Sequence, residues 1–380
     1  MPGKKKETIM GKFKIAPEIY EYADFGGFIK DFPIQKDDLI LTQRFIYTPF
    51  IAPFHLECQV IFQEDFGEGE PSDVMVDAVL EKAHSLKYRR VIAVGGGTVI
   101  DIAKLLALKA FRCAEEIFLD SSKIIKEKEL IIIPTTCGTG SEVTRSCIIS
   151  SIKKQTKVRM AFDAFYADKA VLIPQCIHTL PYRFFAYSSI DALVHAVESF
   201  LSPKSNAYTD LFSVDAIRLL VKAFDKIVVE GEESRQKWES DILRASNYAG
   251  ISFGNAGCGA VHALAFPLSG RYHVAHGESN YQFFCAVLDK YYEKNAKGKM
   301  SRLCDILSEI LKCKKERALS ELKELLNQIW PIKKLRDFGM KEEEIEEFAN
   351  EVYDELQPVL ATSYVPLSRE ELKRINQSLY

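Results

Sequence analysis

Apolar positions in the first half of the chain come in two alternating textures. Short apolar runs at 38–42, 59–62, 90–94, 129–133 and 170–173 predict strands. Longer amphipathic runs lie between them. In 71–86, Val74, Val76, Val79 and Leu80 recur at helical spacing behind a Ser72-Asp73 start signal, and 101–110 reads the same way. Strands alternating with helices predict a mostly parallel sheet covered on both faces. After about residue 180 strand-like runs become rare. The segments 190–201, 206–228, 240–250, 299–329, 341–356 and 368–379 all predict helices, the last opening on the capping-box pattern Ser368-Arg369-Glu370-Glu371. The expectation is an α/β domain over 1–180 and an all-helical domain over 181–380, with a ligand cleft at their junction.

Composition narrows the function classes. The 380 residues carry 50 Lys and Arg against 53 Asp and Glu, so no basic excess points to nucleic acid. Hydrophobic residues at 47% and charged residues at 27% are ordinary for a globular chain and exclude disorder as its main state. No apolar run approaches the roughly 20 residues a membrane span needs. The basic start, with Lys4, Lys5 and Lys6 reading as a solvated tail, is followed by no apolar segment, so no signal peptide is expected. Nine cysteines without a CxxC pair fit reduced thiols and a cytoplasmic location.

Two segments carry phosphate-binding chemistry. Val91 to Val94 run into Gly95-Gly96-Gly97-Thr98 and then a helix. Glycines let the backbone approach a pyrophosphate, and the helix N-terminus offers free N–H groups and a favourable dipole. A tight βα turn would need glycine as well. Behind Ile131 to Pro134 follows Thr135-Thr136-Cys137-Gly138-Thr139-Gly140-Ser141-Glu142, whose hydroxyls and backbone can meet ribose or phosphate at the carboxyl edge of a sheet, or form a capped loop.

The histidines suggest a metal. Asp191 and His195 stand at i and i+4, one turn apart on a helix face; such a pair also forms simple local hydrogen bonds. His262 and His276 flank an apolar stretch broken by Pro267, Ser269, Gly270, Arg271 and His273, and a helix, turn and return would bring both imidazoles together. One carboxylate with three imidazoles suits Fe(II) or Zn(II), and the lack of thiolate argues against structural zinc.

In combination these blocks resemble the iron-containing (group III) alcohol dehydrogenases. The stretch 95–104 resembles their GGGSxxDxAK loop, 134–144 their PTTxGTGSEVT segment, 191–198 their DALxHAxE helix, and His262, Pro267-Leu268 and His276-Gly277 their HxxxxPL…PHG stretch. The resemblance implies a Rossmann-like N-terminal domain and a helical C-terminal domain, the dehydroquinate synthase-like architecture. It implies metal ligands Asp191, His195, His262 and His276, and a pyrophosphate on Gly95, Gly96, Gly97 and Thr98 with Asp101 close by. Thr135, Thr136 and Thr144 would line the adenine and ribose path, and Lys157 would lie near the nicotinamide ribose, with Lys153 and Lys154 as neighbours in sequence. The activity implied is reversible hydride transfer between a primary alcohol and NAD, in a homodimer or larger assembly.

Three departures from the family pattern bear on specificity. Gln43, followed by Arg44, stands where the family often has an Asp that excludes a 2′-phosphate, which leaves NADP open. Phe266 replaces a proton-relaying His, a role His273 is placed to take. The run His276-Gly277-Glu278-Ser279-Asn280 resembles the branch acting on 4-hydroxybutyrate, whose carboxylate needs a cation; Arg271 is the first candidate, then Arg145 and Lys157. A lyase of the dehydroquinate-synthase type is the alternative enzyme class, disfavoured by few basic residues around 190–200 and 255–275. A catalytically lapsed interaction protein is the non-enzymatic one, and the intact ligand set opposes it.

Overall fold

The computed structural model describes residues 12–152 and 156–380; Lys4, Lys5, Lys6, Lys153 and Lys154 lie outside the described residues. Six strands form one parallel sheet: β1 (Glu18–Glu21), β2 (Asp38–Thr42), β3 (Gln59–Phe62), β4 (Arg90–Gly95), β5 (Glu129–Pro134) and β8 (Lys169–Leu172). Their order is β1-β8-β5-β4-β2-β3. All five apolar runs of the sequence are strands here. The sixth, β1, reads Glu-Ile-Tyr-Glu on the sheet's edge, too short and too polar to show in the pattern.

Side-chain alternation along the strands splits the core into two layers. Leu39, Leu41, Val91, Ala93, Leu130 and Ile132 pack against α3 (Asp73–His84), α4 (Gly97–Leu106) and α5 (Ala114–Leu119). The intervening Ile40, Ile92, Val94, Ile131 and Ile133 pack against α1 (Phe25–Asp31) and α2 (Arg44–Phe50). Ser72 caps α3 by accepting from the Met75 N–H, as its sequence signal predicts. At the strands' amino ends Arg90 grips the fully buried Asp38 with two nitrogens, at 2.9 and 2.5 Å.

A two-stranded antiparallel hairpin, β6 (Ser146–Ser151) with β7 (Thr156–Ala161), stands outside the sheet. Its root is tied to α4 by Lys104, a lysine with no exposed surface. Lys104 Nζ donates to Ser141 Oγ at 2.7 Å and to the Ser146 carbonyl at 2.6 Å, and pairs with Asp101 at 3.4 Å. Asp101 also accepts the Ile148 N–H at 3.1 Å. Burial pushes the Asp101 carboxyl up, against the pull of Lys104 and these hydrogen bonds.

From Tyr182 onward the described chain is helical. The helices are α6 (Tyr182–Leu201), α7 (Ala207–Glu230), α8 (Glu239–Ala256), α9 (Ala260–Tyr272), α10 (His276–Lys294), α11 (Gly298–Leu311), α12 (Ala318–Ile329), α13 (Glu344–Glu355), α14 (Gln357–Leu360) and α15 (Arg369–Leu379). No helix of the described residues is long and apolar enough to cross a membrane. Helix α6 is the axis of this half, buried without interruption from Ser189 to Leu201. The segment 299–329, expected as one helix, is two. Lys312 adopts a left-handed conformation that ends α11, although no glycine or proline marks the break. All nine cysteines are free.

The loop after β5 fastens the halves together. Gly140 of that loop and Gly250 of α8 cross so closely that a Cβ on Gly140 would lie 2.4 Å from the Gly250 Cα, and one on Gly250 would lie 2.7 Å from the Gly140 carbonyl oxygen. Beside this crossing Asn247 donates to the buried Glu142 at 2.9 Å.

Replacing Lys104 with Met would leave Asp101 buried without its ammonium partner. The expected loss is about 3–5 kcal/mol of folding stability, read as a lower urea midpoint at unchanged m-value.

A candidate metal and dinucleotide site

The long α6 presents Asp191 and His195 on one face, and both are buried. Helix α9 supplies His262 near its start, and the first residue of α10 is His276. A ligand atom from each of the four lies within 4.8 Å of the others. Gly277 makes this possible: a Cβ there would meet the Tyr187 carbonyl oxygen at 2.5 Å and the Asp191 Cβ at 3.2 Å, so only glycine lets α10 start against α6. His276 Nε2 thereby stands 3.9 Å from Asp191 Oδ2.

Hydrogen bonds behind the ligands fix which nitrogen faces inward. His195 Nδ1 lies 3.1 Å from the Gly138 carbonyl, which can only accept, so this nitrogen carries the proton. His262 Nδ1 lies 2.6 Å from Glu198 Oε2, while Glu198 Oε1 accepts the Val261 N–H at 2.8 Å. With both rings neutral, the two Nε2 lone pairs face one another across 3.0 Å. Two lone pairs at that distance repel, and a cation between them turns repulsion into attraction. Burial pushes His195 down to about 3 despite Asp191, so its ring is neutral. Burial also opposes charge on His262, but Cys258 and Glu198 outweigh it and raise that group. Asp191 is held low, its burial outweighed by His195, His276 and His262. Asn280 aims its amide nitrogen at Asp191 Oδ1 (2.7 Å), His276 Nε2 (3.1 Å) and His262 Nε2 (3.2 Å), and its buried Oδ1 has no partner. Three imidazole nitrogens and a carboxylate converging on one point fit a divalent transition metal.

The glycine loop leads from β4 into α4. Gly96 is the N-cap residue of α4 and no side chain caps the helix, which leaves its first N–H groups free. A Cβ on Gly96 would lie 3.2 Å from Thr136 Cγ2, so the glycine turn and the segment after β5 pass close together. Thr98 Oγ1 donates to the Gly69 carbonyl at 2.9 Å, while Gly95 and Gly97 flank the turn. Thr135 is buried and donates its N–H to the Gly95 carbonyl at 3.1 Å.

Other expected site residues sit differently. Asp101 turns inward to Lys104 and Ile148, and so braces the loop from beneath. Thr144 is buried, its hydroxyl 3.5 Å from the Ser141 carbonyl. Gln43 follows β2 at the sheet's carboxyl edge and donates to Gln63 Oε1 at 2.8 Å. Arg44 is already bound by Asp65, at 2.5 and 2.9 Å. Arg271, expected beside the metal, is a correction: nine residues past His262 is half a turn round the helix. There it pairs with Glu347 at 2.8 Å and Glu351 at 2.5 Å on α13. Arg145 pairs at the surface with Asp163 at 3.3 Å. His273 is exposed, takes a left-handed conformation at the end of α9 and stands outside the four-ligand group; it turns the chain into α10. Phe266 is half-buried one turn beyond His262, and Lys157 reaches Ser269 on the same helix at 3.1 Å.

The sequence reading missed Glu198 and Asn280 as supports of the ligands. Each had a signal: Glu198 is three residues past His195, and Asn280 four past His276, both on a ligand's helix face. Glu198→Gln should lower metal affinity about 10- to 100-fold with the helical circular-dichroism signal unchanged. His262→Ala should bring metal content close to zero by elemental analysis; stoichiometric metal in that variant would remove His262 from the ligand set.

Residues 20–174 match the family described as iron-containing alcohol dehydrogenase, and residues 185–380 match the C-terminal part of the Fe-containing alcohol dehydrogenase family. The 4-hydroxybutyrate dehydrogenase of Clostridium kluyveri is 46% identical over 371 residues, which span 98% of this chain and all of that one. The same fold is seen in crystal structures of a 1,3-propanediol oxidoreductase (TM-score 0.84, 21% identity, 98% of this chain and 100% of that one). It is seen again in a sulfoacetaldehyde reductase from Bifidobacterium kashiwanohense in complex with NAD+ (TM-score 0.83, 21% identity, 98% and 99% covered). With both halves matched and a relative aligned from end to end, the chain belongs to the iron-containing alcohol dehydrogenase family and is an alcohol dehydrogenase.

Proposed function

We propose that this enzyme interconverts 4-hydroxybutyrate and succinate semialdehyde with NAD(H) and Fe(II), Zn(II) being compatible with the same donors. The observation that carries the substrate is the 46% identity, across the full length of both chains, to 4-hydroxybutyrate dehydrogenase. Asp191, His195, His262 and His276 would hold the metal, and the loop 95–98 with Thr135 and Thr136 the dinucleotide. When bound, these groups supply a Lewis acid for the substrate oxygen and a hydride acceptor at the nicotinamide.

The chain's own residues supply position and electrostatics. Glu198 and the Gly138 carbonyl hold two imidazoles in the tautomer with Nε2 inward, so the ligands need no reorganisation when charge develops nearby. Phe253 stacks on the His195 ring at 4.3 Å and excludes water from that side. The free N–H groups at the start of α4 receive the pyrophosphate charge. We assign assembly as a dimer or larger on family grounds, and light scattering reads it directly.

Cofactor preference follows from charge at the end of β2. Gln43 carries none, but Glu64 and Asp65 surround Arg44 and occupy the cation that would greet a 2′-phosphate. This supports NAD over NADP. Asp65→Ala should free Arg44 and raise kcat/KM with NADPH relative to NADH by about threefold, a small effect because the pair is half-exposed. Gln43→Asp should move the ratio the other way.

The deciding assay is NADH oxidation by the Fe(II)-loaded enzyme with succinate semialdehyde and with butyraldehyde. The expected result is a clear preference for the semialdehyde. A preference for butyraldehyde would leave a plain alcohol dehydrogenase.

A further inference from the structure

Resting on the hydroxy-acid reading above, the remaining question is what meets the substrate's carboxylate. On α9, His262, Phe266 and Ser269 are spaced i, i+4 and i+7 and share one face. Ser269 therefore stands about 10 Å along the axis from the ligand His262, at 1.5 Å per residue. Ser269 is buried, and Lys157 of β7 donates to its hydroxyl at 3.1 Å. The same ammonium pairs with Glu70 Oε2 at 2.6 Å, and Ser269 Oγ reaches Glu70 Oε1 at 3.4 Å. One carboxylate is thus gripped by an ammonium and a hydroxyl on the metal-bearing face of α9.

That carboxylate belongs to a short loop. Glu70 follows Gly67 and Gly69, both in positive-φ conformations, and precedes Pro71. The Gly69 carbonyl is tied to Thr98 of the phosphate loop. The helix face between His262 and Ser269 is long enough to lay a four-carbon substrate along it. An extended ω-hydroxy acid of four carbons spans about 6 Å from hydroxyl to carboxylate oxygen. With one metal–oxygen contact and one ammonium–carboxylate contact added, the reach from metal to ammonium is about 11 Å. The apolar middle of such a chain would lie along Phe266.

We propose that Lys157 and Ser269 form the carboxylate end of the substrate site, and that Glu70 is a tethered anion occupying this clamp until a substrate carboxylate displaces it. The other cations are less suited. Glutamates hold Arg271 on the far side of α9, and Asp163 holds Arg145 at the surface. Arg159 is the rival: it is two residues along β7 on the Lys157 face, exposed, and without a side-chain hydrogen bond or ion pair among the described residues.

The test compares kcat/KM for succinate semialdehyde and butyraldehyde in the Fe(II)-loaded full chain with NADH. Lys157→Met should lower the semialdehyde-to-butyraldehyde ratio roughly 10- to 100-fold, mainly through KM. Glu70→Gln should raise the ratio several-fold by removing the competing charge, a gain that misfolding cannot imitate. Competitive inhibition by butyrate should weaken in Lys157→Met and strengthen in Glu70→Gln. Equal loss on both aldehydes in Lys157→Met, with weaker NADH binding by fluorescence, would overturn the clamp and give Lys157 to the cofactor. An unchanged ratio there with a collapsed ratio in Arg159→Met would overturn it in favour of Arg159. The wild-type ratio judges the hydroxy-acid reading separately: without a preference for the semialdehyde that reading falls, and the clamp with it.

Discussion

Four electron-rich groups aimed at one point repel each other, and the helical half is organised around holding them there. Asp191 and His195 are fixed by the most deeply buried helix of the chain. His262 is fixed by a carboxylate that simultaneously secures the start of α9. His276 is fixed by a glycine contact that admits no side chain. A bound cation would make such a cluster favourable. The tightly packed apolar surroundings of α6 supply the energy that keeps the ligands converged.

The α/β half solves a different problem, bringing a backbone surface rather than side chains to its ligand. Its strands alternate their apolar residues between two helix layers and leave the carboxyl ends free for loops. The loop after β5 then serves both halves. Thr135 borders the glycine turn, the Gly138 carbonyl sets the His195 tautomer, and Glu142 accepts from Asn247 of α8. This one short loop thus connects the glycine turn to the four-residue cluster.

What the sequence made legible was whatever is encoded locally. Apolar runs marked five strands of the parallel sheet, and the i, i+4 spacing of Asp191 and His195 survives in α6 as drawn from the residues alone. The partnership of those two with His262 and His276 depends on two further helices; residue chemistry suggested the set, and the family resemblance implied the same four. Contacts between distant segments were out of reach. Arg271 lies between two ligands in sequence, yet the 100° turn per residue sends it to the opposite face, where α13 offers three glutamates. Glu70, almost two hundred residues from Ser269, had no signal at all, because only the folded chain puts a glycine-flanked loop against α9. The break at Lys312 was invisible for a related reason: a lysine in a left-handed conformation carries no sequence mark.

The crossing of Gly140 and Gly250 also bears on how sequences like this one can change over time. Each position is confined to glycine by the backbone of the other, with Val143 also crowding Gly250, so no substitution at one relieves the restriction at the other. Compensation would require both segments to separate, which would draw the Gly138 carbonyl away from His195 and Glu142 away from Asn247. Adaptation to a new alcohol is therefore channelled away from the joint and toward its margins, to residues such as Phe266 and Glu70 that can vary without moving either half.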